Sequence, residues 1–100
     1  MLKISVQHSP GIATMKVEGK IVGPWASELE HVWRDLWIPI QQKQLRLDLR
    51  EVTFVDEEGM QVLREIIGTT GAEILTDSPL SQYFAEQAKR GVKPQPEKEN

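Results

Sequence analysis

The stretch "LRLDLREVTFVDEEGMQVL", Leu45 to Leu63, decides how the rest of the chain is read. Leu45, Leu47 and Leu49 alternate with Arg46, Asp48 and Arg50, the period of a strand with one apolar face. "EVTFV" carries that run to Asp56. From Glu57 onward the apolar positions are Met60, Val62, Leu63, Ile66 and Ile67, which is helical spacing. Asp56 therefore stands where a helix N-cap belongs, its carboxylate placed to accept an amide hydrogen bond from the first turn. Glu57 and Glu58 fall in that turn, where the helix dipole favours negative charge. Gly59 does not fit this account. Glycine inside a helix costs about 1 kcal/mol relative to alanine. Either something approaches the backbone there, or packing demands the missing side chain.

The segments on either side extend the pattern. Upstream, Leu2, Ile4 and Val6 alternate with Lys3, Ser5 and Gln7, and Ser9-Pro10-Gly11 is a turn cluster. Ala13, Met15, Val17, Gly19 and Ile21 then form a second alternating run, so a hairpin is expected. Pro24 suits the first turn of a helix, and Trp25, Leu29, Val32, Trp33 and Leu36 give it an apolar stripe. Pro39 predicts its end, because Ile38 is pushed out of helical geometry. Downstream, Gly68 is read as the cap of the helix begun at Glu57, and "AEILT" as a short fourth strand. Ser78-Pro79 opens a third helix, lined by Leu80, Tyr83, Phe84 and Ala88 and ended by Gly91. Residues 1–90 thus form one domain, and 91–100, with two prolines and mixed charge, read as a disordered tail.

The order strand, strand, helix, strand, helix, strand, helix predicts an α/β fold. The last three strands should be parallel neighbours joined by right-handed crossovers. Strands that alternate apolar and polar predict a mixed sheet with helices on its apolar face and water on much of the other.

Composition narrows function by exclusion. The 100 residues are 39% hydrophobic and 27% charged, ordinary for one small soluble domain. The net charge of −3, from 12 bases and 15 acids with no basic cluster, argues against nucleic-acid binding. No run approaches the roughly 18 apolar residues of a membrane span, and the start is too polar for a secretory signal, so the cytoplasm is expected. There is no cysteine, and His8 and His31 are too far apart in sequence to suggest a metal site. No cofactor is expected: Gly59 stands alone, which excludes a P-loop. Asp56, Glu57 and Glu58 lack the separated environments that catalytic carboxylates need, so no enzyme is expected. Of the three tryptophans, Trp25 and Trp33 are assigned to the core and Trp37 to its edge.

Leu45 to Leu63, together with "VEGKI" at Val17 to Ile21, resembles the STAS family, the anti-sigma-factor antagonist domain also found attached to sulfate transporters. The element order matches through about Lys89. The family carries Asp-Ser-x-Gly between a strand and a helix. Asp56 and Gly59 match its aspartate and glycine, and Glu57 stands in place of the serine. The resemblance implies a bacterial, cytoplasmic, non-enzymatic regulator of transcription. In antagonist-type members a partner kinase, the anti-sigma factor, phosphorylates that serine, and the added charge weakens binding. A glutamate at this position cannot be phosphorylated. It carries about one negative charge against roughly −1.5 to −2 for phosphoserine. Glu57 then either imitates the charged state permanently or marks a surface for constitutive binding, and the incomplete mimicry favours the second. Thr53, Thr69 and Thr70 are weak candidates for a substitute modification site.

The resemblance implies a protein partner docking on Asp56, Glu57, Glu58 and Gly59, with Met60 and Arg64 as further contacts. That partner is an anti-sigma factor or related kinase or, as an alternative, a component of a transport complex. Nucleotide binding is a third reading. Many members continue into another strand and helix, and the shorter chain here leaves an edge for a partner or a second copy, as in a homodimer.

Overall fold

The computed structural model describes residues 2–37 and 43–90. The predicted tail, Pro39 and the Gly91 helix end lie outside them. Strand β1 (Leu2–Ser9) turns through Pro10-Gly11 into β2 (Ile12–Ile21), and the two pair antiparallel from Leu2↔Gly19 to Ser9↔Ile12. Helix α1 (Pro24–Trp37) leads to β3 (Gln44–Val55), which lies parallel to β2. Helix α2 (Glu57–Thr70) leads to β4 (Glu73–Leu75), parallel to β3, and α3 (Pro79–Arg90) follows. The sheet order is β1-β2-β3-β4, so each crossover joins neighbours. Right-handed connections of that kind put successive helices on one face of the sheet. This is the mixed sheet with helices on its apolar face that the strand pattern predicts.

The core lies between that face and the helices. Ala13, Met15, Val17 and Ile21 of β2 and Leu45, Leu47 and Leu49 of β3 are buried beneath Leu29, Trp33, Leu63 and Ile66. Burying a side chain of this size contributes about 1.5–3 kcal/mol. The register of β2 with β3 shifts twice, between Lys16 and Glu18 and between Gly19 and Lys20. Each shift gives β3 one extra residue, as in a β-bulge. The inward set of β3 therefore passes from Leu49 to Val52 and then to Val55, and Phe54 is left 49% exposed. Gly19, at φ +103°, supplies the backbone conformation at the second shift.

Helix phase departs from the sequence reading in three places. In α1 the buried set is Ala26, Leu29 and Trp33, and Trp25, assigned to the core, is 40% exposed. Trp37 packs half-buried at the core's edge. In α3 the buried set is Ser81, Phe84, Ala85 and Ala88, whereas Leu80 and Tyr83 are 48% and 56% exposed. Ser81 turns inward because its hydroxyl is satisfied locally. It accepts from the Asp77 and Ser78 amides and donates to the Ser78 carbonyl. Finally, α2 runs past Gly68 to a left-handed Gly71, whose amide donates to the Ile67 carbonyl at 2.9 Å. Ile66 and Ile67 hold the intervening turn against the core. Thr70 supports the cap, donating to the Ile66 carbonyl and accepting from the Ala72 amide.

Candidate functional site

The predicted residues gather at the start of α2, but they divide by orientation. Asp56 caps the helix as expected, with Oδ1 accepting from the Gly59 amide at 2.8 Å. Its other oxygen, Oδ2, accepts from the Gly23 amide at 3.0 Å, at the entry to α1. The Asp56 amide donates to the Ile21 carbonyl. One residue thus ties the end of β2 and the starts of two helices together.

Gly59 is buried, and its place in the fold answers the question its sequence position raised. A Cβ built on it would lie 2.2 Å from the Ile21 carbonyl oxygen and 2.9 Å from Ile21 Cγ2. No side chain fits at 2.2 Å from a backbone oxygen. What approaches the Gly59 backbone is β2 of the same chain, the packing alternative of the sequence reading.

Glu57 and Glu58 are exposed and make no ion pair among the described residues. Glu57, Met60 and Arg64 follow one another along one side of α2, at spacings of three and four residues. With Tyr83, Phe84 and Gln87 of α3 they line a shallow, open groove of about 230 Å³. Arg64 lies along it, with one guanidinium nitrogen 3.4 Å from the Gln87 carbonyl. Its Nε is buried without a hydrogen-bond partner among the described residues. The α3 wall was missed in the sequence. The available signal was surplus: Leu80, Tyr83 and Phe84 are more apolar residues than one helix face can bury.

The sheet's uncovered face forms a second concavity, about 510 Å³, where Thr14, Lys16, Arg46, Asp48 and Arg50 converge. Asp48, read in the sequence as one of the outward residues of its strand, is only 3% exposed. Its carboxylate accepts from the Arg50 amide, Nε and Nη2 at 2.9–3.0 Å. The side-chain hydrogen bonds from Arg50 hold the Asp48 carboxyl below the usual carboxylate range, against the opposing effect of burial. Arg46 pairs with Glu73 at 3.3 Å. Both arginines of this face therefore spend their charge on carboxylates of the chain itself.

Among the described residues there is no group of three or more His, Cys, Asp or Glu able to hold a metal ion. His31 Nδ1 lies 3.0 Å from the Ser27 carbonyl on its own helix. No described helix is long and apolar enough to cross a membrane.

Three solved structures place this geometry. Over 98% of its length the chain matches an anti-sigma factor antagonist from Mycobacterium paratuberculosis, with TM-score 0.71, 19% identity and 90% of that chain covered. A protein of uncharacterised function from Shewanella loihica, whose fold is called SpoIIAA-like, matches at TM-score 0.61 and 12% identity, over 94% of this chain and 81% of that one. The fold is SpoIIAA-like. The unphosphorylated anti-sigma factor antagonist SpoIIAA itself matches at TM-score 0.59 and 8% identity, over 96% of this chain and 93% of its own. At such identities the SpoIIAA-like likeness is one of architecture. No family model matches the sequence, and no curated protein matches it either.

Proposed function

We propose that this chain is a non-enzymatic, cytoplasmic regulatory module that binds a protein partner through the start of α2, with Glu57 as a constant charge. One observation carries the reading. Within Asp56–Gly59 the two residues that match the STAS pattern are consumed by the fold, through a double cap and a close packing contact. The two glutamates between them project outward without internal partners among the described residues. Charge that forms no ion pair among the described residues, held on a rigid helix start beside a partly apolar groove, suits recognition of a basic site on another protein. Met60 and Arg64 extend that surface.

The partner is an anti-sigma factor or related kinase, or else a component of a transport complex. The nucleotide reading is disfavoured by the pairing of Arg46 and Arg50 with carboxylates in the concavity on the sheet's uncovered face.

Co-purification from the native host with the normal chain and with Glu57→Lys is the direct test. The expected result is a protein retained by the first and lost by the second. The same protein retained equally by Glu57→Lys and by the Glu57→Lys/Glu58→Lys double variant would overturn the assignment. Adding ATP to the purified complex of Glu57→Ser separates the partner classes: a kinase-type partner phosphorylates the new serine and a transport component does not.

A further inference from the structure

The groove between α2 and α3 has a polarity that specifies its occupant. At one end stands Glu57, next to the exposed Glu58. At the other stands Arg64, about 10 Å further along at 1.5 Å per residue, with the basic last turn of α3, Lys89 and Arg90, beyond it. Between them the floor is apolar, from Met60, Phe84 and the exposed Tyr83. The Arg64 Nε is buried with no acceptor among the described residues, and Arg64 makes no ion pair among them. The buried Nε is out of reach of an incoming group, but the terminal nitrogens of Arg64 have no counter-charge among the described residues, and a carboxylate is the acceptor that suits a guanidinium best. The groove therefore asks for an acid at the Arg64 end, apolar side chains in the middle and a base at the Glu57 end.

Helix direction adds a second constraint. α2 leaves the end of β3 and α3 the end of β4, which is parallel to β3, and Arg64 meets Gln87 late in both helices, so both run the same way along the groove. Their positive dipole ends share the Glu57 end. A third helix laid antiparallel brings its negative C-terminal end to that point, and its own dipole favours acids early and bases late. Groove charge and helix dipoles thus select one orientation. The modest volume admits one or two large side chains and is below the roughly 300–1,000 Å³ of typical small-molecule sites.

We propose that the α2–α3 groove binds an amphipathic helix of a partner protein, antiparallel to α2, with an Asp or Glu opposite Arg64, apolar residues over Met60 and Tyr83, and a Lys or Arg two turns later opposite Glu57. This rests on the reading of the α2 start as the partner surface and gives that partner's chemistry and direction.

The test is a displayed library of 18-residue helices, randomised among charged and apolar residues along one face, selected against the whole chain. The expected winners carry an acid about seven residues before a base, with leucine, isoleucine or phenylalanine between. Interchanging the acid and base of a winning peptide should weaken binding at least tenfold, as should Arg64→Glu or Tyr83→Ser in the protein. Thermal melts of these variants confirm that they are folded. Winners with no charge order, or with the base first, that still lose affinity on Glu57→Lys would overturn this inference and leave the α2 surface standing. Winners indifferent to Glu57→Lys, Arg64→Glu and Tyr83→Ser alike would overturn both. A chain that sediments as a dimer, and as a monomer once Tyr83→Ser is introduced, would show a second copy in the groove and overturn the proposal of a partner helix.

Discussion

Asp56 and Gly59 sit within four residues of Glu57 and Glu58, on the same turn of the same helix, yet the two pairs obey different physics. The first pair faces inward. Its contacts are with Gly23 and Ile21, at distances that admit little change. The second pair faces water and touches nothing that the fold needs. A short stretch at one helix start can therefore be half scaffold and half surface, and the two halves should respond to substitution in opposite ways.

The largest effect is expected at Gly59. Adding a single methyl in Gly59→Ala forces α2 away from β2, at a cost of about 3 kcal/mol or more. For a domain of this size that lowers the melting temperature by more than about 10 °C. A melt within 2–3 °C of the parent would break the inward half of the comparison. Asp56→Ala comes next. It removes an N-cap and a charge-assisted bond to Gly23, for a loss of about 2–3 kcal/mol, measurable by urea denaturation. Asp56→Asn should recover part of this, because one amide oxygen can still serve Gly59.

A smaller effect is expected from Asp48, a buried carboxylate on the sheet's uncovered face. Its folded-state pKa is depressed by Arg50. Its contribution is complete above the unfolded value of about 4 and disappears as pH falls through the folded value. Melting temperatures recorded from about pH 5 down to pH 2 should fall, and Asp48→Asn should flatten that slope. An unchanged slope in the variant would remove Asp48 from the acid response. The smallest stability effect belongs to Glu57→Ser, under about 1 kcal/mol, since only an exposed dipole contact is lost. If Glu57→Ser costs as much as Asp56→Ala, the outward half is structural after all and the comparison fails.

Legibility in the sequence followed the same division. The seven elements, their order and the parallel arrangement of the last three strands could be read from periodicity and turn residues. Asp56 could be read as a cap because capping is a local geometry. Gly59 could be seen to need an explanation, but not given one, since Ile21 lies far away along the chain. The two bulges of β3 could not be located for a similar reason. The alternation of β3 does break at Glu51, where the next inward residue falls due, but only the register with β2 shows that two bulges are the cause.

Trp25, Leu80 and Tyr83 were misplaced because hydrophobic character was taken as a measure of burial. Ala26, Ser81 and Ala85 lie inside in α1 and α3. Small side chains let those helices sit close to their neighbours, and Ser81 satisfies its own hydroxyl before it is buried. The tryptophan, leucine and tyrosine are then left on the surface, where Tyr83 becomes one wall of the α2–α3 groove.

The sequence by itself determined the order of elements, the apolar face of each strand, the capped start of α2 and the presence of fixed charge at Glu57, where the STAS pattern has a serine. These are properties of residues within a few positions of each other, governed by backbone preference and period. Tertiary structure alone decided which side of each helix meets the sheet, that Gly59 is held by Ile21, and that Arg64 and Tyr83 share a groove with Glu57. Each of these depends on two segments distant in the chain competing for the same volume, and close packing, unlike periodicity, has no expression in one segment read alone.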